Sequence, residues 1–357
     1  MTTPVFQLDM LPGREGDCLV LSYGDETKVR RIMVDTGRVS TWRSIRKRLG
    51  ELPAAERTFE LLIVSHIDRD HIAGVLAMLK DPKLSLSFRD VWFNGYKHLF
   101  DDGLEPFGAA QGEELSGLLG KPGSAWNGRF KGRSVELRHA PKPILLDGGL
   151  SLRLLSPDRA ALAALIPDWE TECGKAGIVP GAKGRPEGPP AGLEQFGGPI
   201  DVEELARISF TPDGSKPNAT SIAVLAEFAD RAVILGADGG ADRIRDSIMP
   251  LAGAAGGRLP LAAFKLPHHG SKYNLSPELL ALVDCRRFLF SSNGSYFHHP
   301  DKETVARILA TVPGSELVFN YGSAETQVWN DQVLMDEWDY RPTYPADDGT
   351  ISVNLLA

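Results

Sequence analysis

Six of the eight histidines in this 357-residue chain fall into three short motifs. His66 and His71 lie in Ser65-His66-Ile67-Asp68-Arg69-Asp70-His71-Ile72-Ala73-Gly74. His268 and His269 lie in Lys265-Leu266-Pro267-His268-His269-Gly270-Ser271-Lys272, and His298 and His299 in Ser292-Asn293-Gly294-Ser295-Tyr296-Phe297-His298-His299-Pro300. His98 and His139 are left over. Neutral imidazole nitrogen and carboxylate oxygen suit zinc, manganese or iron. The first motif follows an apolar run and opens a helix, so a strand-to-helix turn projects His66, Asp68, Asp70 and His71 to one side. Capping of the helix would account for Asp68 and Asp70, but two histidines within six residues exceed what a cap requires. Asp238, in Leu235-Gly236-Ala237-Asp238-Gly239, also follows an apolar run, and a carboxylate there can bridge two cations. Of the adjacent His268 and His269, one is expected to bind metal and the other to support it or touch substrate. The third motif has no carboxylate before Asp301, so proton transfer or substrate contact is expected of His299; simple packing is the structural alternative.

If the strands before these motifs share one sheet edge, the motifs converge, and cations with a water make a hydrolase. Two metals about 3.5–4 Å apart acidify a water between them and stabilise both oxygens of an in-line displacement. No GxSxG nucleophile elbow and no GxxxxGK[ST] phosphate loop competes with that reading.

The elements that must position these residues are legible as apolar runs between turn signals. Strand-like runs occur at 4–9, 17–23, 29–34, 59–64, 91–94, 135–138, 152–155, 221–227, 232–235, 261–266 and 288–291. Helical patterns occur at 41–50, 72–80, 113–119, 277–283 and 302–311, the last after the start signal Pro300-Asp301. Strands with interspersed helices indicate layered α/β or α+β packing. Residues 174–199 hold 13 Gly or Pro among 26 and read as a long surface insertion in one domain spanning 1–357.

Composition narrows the class. Hydrophobic residues are 42% and charged residues 24%, as in an ordinary globular protein. No run is long enough for a membrane span, no secretory signal is evident, and Cys18, Cys173 and Cys285 are too scattered for a disulfide framework. A cytoplasmic protein with free thiols is expected. The net charge of -8 argues against coating nucleic acid by bulk charge, though not against cutting it at a local site.

The order strand, HxDxDH, Asp238 after a strand, then HHGS resembles the metallo-β-lactamase superfamily. With Asp68 at the third position of the commoner HxHxDH, the chain looks most like the metallohydrolase domain of the DNA-uptake protein ComEC and its stand-alone relatives. Gly13–Asp17 is similar to their GxGD turn, Met33-Val34-Asp35-Thr36-Gly37 to their strand-ending DTG, and Asn293, Tyr296, His299 and Pro300 to their N-x-Y-x-H-P segment with one extra residue. Residues 344–351 resemble their final strand. The likeness covers nearly the whole chain, with insertions around 96–140 and 160–217.

The resemblance implies an αββα sandwich of the α+β class with one or two divalent ions, zinc or manganese, at one edge of two facing sheets. His66 and Asp68 would hold one metal, Asp70 and His71 the other with His268 or His269, and Asp238 would bridge. Asp70, His269 and His299 are the implied catalytic residues. Lys265, Ser271, Lys272, Asn293 and Tyr296 are implied substrate contacts. The superfamily usually adds a histidine to the first metal, but residues 217–221 contain none; Asn218 is left as an oxygen ligand or substrate contact. The activity implied is hydrolysis of nucleic acid or related phosphodiesters, and stand-alone relatives occur in bacterial defence systems beside partner proteins. Hydrolysis of a small ester, lactone or cyclic nucleotide is one alternative; a degenerate, partner-binding subunit is the other.

Overall fold

Strand formation follows the alternation of apolar side chains. In a computed structural model, which describes residues 2–100, 110–121, 124–175, 200–346 and 349–357, fourteen strands build two large sheets. They are β1 (Pro4–Met10), β2 (Leu19–Asp25), β3 (Lys28–Val34), β4 (Leu61–Ile63), β5 (Val91–Trp92), β6 (Ile144–Leu145) and β7 (Ser151–Leu154). The others are β8 (Val224–Phe228), β9 (Arg231–Leu235), β10 (Ala263–Lys265), β11 (Arg287–Phe290), β12 (Ser315–Phe319), β13 (Tyr340–Thr343) and β14 (Ile351–Asn354). The first sheet runs β14-β1-β2-β3-β4-β5 and the second β13-β12-β11-β10-β9-β8-β7-β6. Strands β3, β4 and β5 are parallel, as are β9 to β13.

The helices that cover the sheets are α1 (Trp42–Gly50), α2 (Arg69–Lys80), α3 (Ala110–Leu119), α4 (Arg159–Lys175), α5 (Ala241–Ala254), α6 (Pro277–Ala281) and α7 (Lys302–Thr311). A period of two gives the strands two buried faces. In β3, Ile32 and Val34 face the second sheet, against Val233, Leu235 and Leu289, while Met33 packs outward among Ile45, Ile72 and Val75 of α1 and α2. In β9, Val233 and Leu235 face inward and Ile234 packs on Ile244 and Ile248 of α5. The result is four layers: helices, sheet, sheet, helices. This is a mixed α/β molecule compatible with the α+β class.

Most expected elements form, some with shifted ends, and the following differences bear on the fold. The run 59–64 divides at Glu60, which pairs with Arg30 and Arg89; Thr58–Phe59 joins a small ladder with Ser87–Phe88, and only Leu61–Ile63 enters the sheet. No strand forms at 135–138. There the Asn94 side chain takes up the main chain of Val135 on both sides, at 2.8 and 2.9 Å, replacing a ladder. The final strand, expected over 344–351, begins only at Ile351. Tyr344 stacks on Phe319 and donates to the Thr326 carbonyl, and the strand is β14. Helix α2 starts at Arg69, three residues before its apolar pattern. Of the insertion expected at 174–199, Gly174 and Lys175 end α4 and the rest lies outside the described residues. Cys18, Cys173 and Cys285 are buried and in no disulfide. Among the described residues no helix is long and apolar enough to cross a membrane.

Candidate metal centre

Parallel neighbours end level, and this brings the motifs together. Val34 of β3 pairs with Ile63 of β4, and Leu235 of β9 with Lys265 of β10, which pairs with Leu289 of β11. Asp35, the Ser65–His71 turn, Asp238, His269 and Ser291 all follow these ends. A bond from the Ile222 amide to the Ser65 carbonyl, 3.0 Å, ties the two sheets at this edge. Two glycines let backbones meet without side chains. A Cβ on Gly16 would lie 1.7 Å from the Asp70 carbonyl oxygen, and one on Gly74 of α2 would lie 2.1 Å from that of Thr36. The acid-bearing turn of α2 is thereby pressed onto the loops around Asp17 and Asp35. The site backbone is also strained: Asp35, Ala237, His268 and His269 adopt positive φ between 45° and 54°.

Asp238 is the centre. Its Oδ2 lies 3.4 Å from His71 Nε2, 3.7 Å from His66 Nε2 and 3.8 Å from His268 Nε2; its Oδ1 lies 3.6 Å from His269 Nε2. Asp70, His71 and His269 offer ligand atoms within 4.8 Å of one another, as do His66, His71 and Asp238, and all are buried. His66 Nε2 is also 3.6 Å from Asp68 Oδ2. Asp68 occupies the N-cap of α2 without making a side-chain cap bond, so its carboxylate is free of the role that would explain it structurally.

Behind the cluster, carboxylates grip the far nitrogens. Asp35 Oδ2 is 2.8 Å from His71 Nδ1 and accepts from the Ser65 hydroxyl; Asp17 Oδ1 is 3.4 Å from His269 Nδ1 and accepts from Ser291. Each pair places a hydrogen on Nδ1 and the Nε2 lone pair toward the centre, the arrangement of a metal-binding histidine.

Charge makes the same demand. Asp17, Asp35, Asp70 and Asp238 are all buried, and the buried ammonium among them is Lys265, 2.7 Å from Asp17. Burial raises the Asp17 carboxyl, but Lys265 and His269 hold it well below the usual range. Burial likewise opposes ionisation of Asp238, yet His71, His269 and His268 keep it ionised. The His71 imidazole, disfavoured as a cation by burial, is drawn well above its ordinary value by Asp238 and Asp35. His268 rises to about 9, because Asp238 and Asp213 outweigh its burial. The Nε2 atoms of His66, His71 and His269 and Oδ1 of Asp238 have no hydrogen-bond partner. Buried charge and buried polar atoms need partners, and divalent cations fit this donor set of imidazoles and carboxylates.

His66, Asp68, Asp70, His71, Asp238 and His269 are thus brought together as expected. The sequence left open which of the adjacent histidines would join this group. With both backbones left-handed their rings diverge, and it is His269 that enters the Asp70–His71 group, while His268 turns to Asp213. His299 is buried beside the centre, 5.0 Å from the His268 ring and 3.6 Å from Asp301, with its Nδ1 unpartnered. Burial, then the neighbouring His268 and His269, keep it neutral.

Three implied substrate contacts are held by partners within the protein. Lys265 is fully buried under Asp17, and Ser271, 1% exposed, accepts from the Tyr273 amide and closes the HHG turn. Lys272 is engaged by Glu303 at 2.7 Å. Asn293 accepts from Ser295, and Tyr296 lies under the Arg38 guanidinium at 5.2 Å, both on the rim loop. Asn218 is buried; its amide donates to Asp213 at 2.7 Å and its Oδ1 is unpartnered.

Sequence reasoning assigned no role to Asp17, Asp35, Ser65, Ser291 or Asp213. Asp17 and Asp35 were visible as acids flanking apolar runs, inside the GREGD and DTG turns; Asp213 carried no such signal. No protein-family model matches the chain, and no curated protein matches it.

Proposed function

We propose that the chain is a metal-dependent phosphodiesterase of the metallo-β-lactamase type, acting on nucleic acid in the cytoplasm with zinc or manganese. The observation that carries the reading is the buried Asp238 carboxylate, ringed by four imidazole Nε2 atoms at 3.4–3.8 Å, three of them backed by their own carboxylates. His66, Asp68 and Asp238 would hold one cation, and Asp70, His71, His269 and Asp238 the other. Divalent cations supply Lewis acidity toward a phosphoryl oxygen and acidify a water.

The protein's own groups divide the remaining tasks. Asp17 and Asp35 keep Nδ1 of His269 and His71 protonated, so that both rings stay oriented. His299, neutral and next to the centre, would take a proton from the attacking water and, as the imidazolium so formed, hand it to the leaving oxygen. The rim supports a nucleic-acid substrate. Phe297 is 44% exposed with its ring 6.5 Å from that of His268, and Tyr273 is 43% exposed beside Lys272. Open aromatic rings stack bases without regard to sequence.

The test uses the full chain with added manganese on single-stranded and duplex DNA and RNA, alongside Asp238→Asn. The variant keeps the side-chain shape and loses the charge that joins two cations. We expect cleavage by the wild type, no measurable cleavage by the variant, and unchanged circular dichroism of the metal-free variant. Full activity in Asp238→Asn rules out this centre; wild-type hydrolysis confined to lactones or thioesters rules out the substrate class.

A further inference from the structure

The two ends of the Asp238 carboxylate are not equally provided for. His269 faces Oδ1 from the side of Asp70 and His71. At Oδ2, His71 approaches to 3.4 Å and His66 to 3.7 Å, and a further imidazole, His268, approaches to 3.8 Å from the opposite loop. What holds His268 there has the same layout as the pairs behind His71 and His269. Its Nδ1 lies 3.4 Å from Asp213 Oδ2 and 3.2 Å from Asn274 Oδ1.

The hydrogen placement follows from the partners. The Asn274 amide nitrogen donates to Asp213, to the Asp238 carbonyl and to the Gly239 carbonyl, each at 3.2 Å. That fixes its Oδ1 as the acceptor facing His268. The Asn218 amide, 3.3 Å from His268 Nδ1, has its closer acceptor in Asp213 at 2.7 Å. With two oxygen acceptors at Nδ1, the ring hydrogen belongs there, and the Nε2 lone pair points at Asp238. Asp213 is anchored in turn: its amide donates to the Tyr273 carbonyl at 3.1 Å, which locks the 209–215 segment to the loop that carries His268.

We propose that Asp213 and His268 form a third carboxylate–imidazole pair, which gives the His66 side of the cluster a further imidazole donor, one not shared with the Asp70–His269 group. Both adjacent histidines are then metal-facing, one toward each end of the bridging carboxylate. Asp213 is a positioning residue: it touches no cation and acts through the ring it orients. The inference rests on the metal reading above and not on the identity of the substrate.

The experiment is a zinc titration of the chelator-stripped full chain by calorimetry, with bound metal measured after desalting. The wild type should take up two equivalents. His268→Ala should keep the equivalent at Asp70, His71 and His269 and lose the other. Asp213→Asn, which preserves size and one hydrogen-bond acceptor, should weaken that same equivalent by about 10–100-fold, the usual effect of removing an outer-shell partner. Circular dichroism of the metal-free variants should match the wild type. His268→Gln serves if the alanine variant misfolds, with the same equivalent lost. Two equivalents at wild-type affinity in either His268 variant overturn the proposal while leaving the metal reading standing. No zinc or manganese bound by the wild type overturns the metal reading itself, and the proposal with it.

Discussion

His299 is the residue whose chemistry the surroundings constrain most tightly. It is buried, its Nδ1 has no hydrogen-bond partner, Phe297 stacks on it at 6.1 Å, and its nearest carboxylate, Asp301, stands at 3.6 Å. A ligand and a proton-transfer group fail in different ways. Removing a ligand lowers metal content; removing an acid or base lowers turnover by roughly 10²–10⁴-fold with metal retained. We expect His299→Ala to keep its metal and lose most turnover, more so on substrates with poor leaving groups than on activated aryl esters. Measuring metal and rate on the same sample checks this. Loss of metal would make His299 a ligand. A lowered Tm with unchanged turnover per folded molecule would make it a packing residue.

At the scale of elements, the short helical turn Tyr96–Leu99 shows what a histidine outside the centre does. His98 Nδ1 accepts from the Gly95 amide at 3.1 Å and its Nε2 donates to the Gly132 carbonyl at 3.2 Å, so both nitrogens are committed to the neutral form. Burial, with Lys97 adding repulsion, depresses it to about 3. The unfolded chain takes up that proton near the ordinary value of about 6.5. Between those values the unfolded state binds more protons, so stability falls as pH falls through this window, by at most about 1.4 kcal/mol per pH unit. His98→Gln, with a donor and an acceptor but no titration, should flatten the decline of Tm between pH 6.5 and 4 while costing some stability at pH 8. Parallel thermal melts across pH would show it; identical slopes would refute it. The sequence marked His98 only as a leftover, because its partners are main-chain groups that no spacing reveals. The same limit explains 135–138, where a side chain from Asn94 outcompetes strand pairing. By contrast, runs such as 29–34 and 232–235 were legible because alternation and burial on two faces agree. The HxDxDH turn was legible because its donors are contiguous. Asp213 was not, since it meets His268 only through the folding of a distant loop.

Over the whole molecule, the centre is a joint between the sheets. Asp17, Asp35 and His66 belong to loops of the first sheet and His71 to the helix α2 that follows it, while Asp238, His268 and His269 follow strands of the second. A cation held by both halves favours the assembled state over the unfolded one by RT ln(1 + [L]/Kd), about 2.7 kcal/mol at a hundredfold excess over Kd. Chelation should therefore lower Tm by several degrees, and zinc or manganese should restore it, with the Asp238→Asn variant far less responsive. Thermal melts with and without chelator test this apart from any substrate; a Tm indifferent to metal would mean that the cluster holds itself together.

The pairing of β1 with β14 bears on how such a joint is assembled. Gln7 lies opposite Asn354 and Met10 opposite Ile351, so one flank of β1 waits for residues made long after it. While the ribosome is still adding the intervening chain, β2 can pair with one side of β1, but the other side offers unsatisfied amides and carbonyls beside Phe6, Leu8 and Met10. Such an open edge is a template for any extended segment, including the same strand of a neighbouring nascent chain. The sheet that carries half of the centre is therefore completed only after synthesis has passed residue 354, and contacts of this sequence separation close slowly. The interval before closure, rather than the finished fold, is when this protein is most exposed to misassembly.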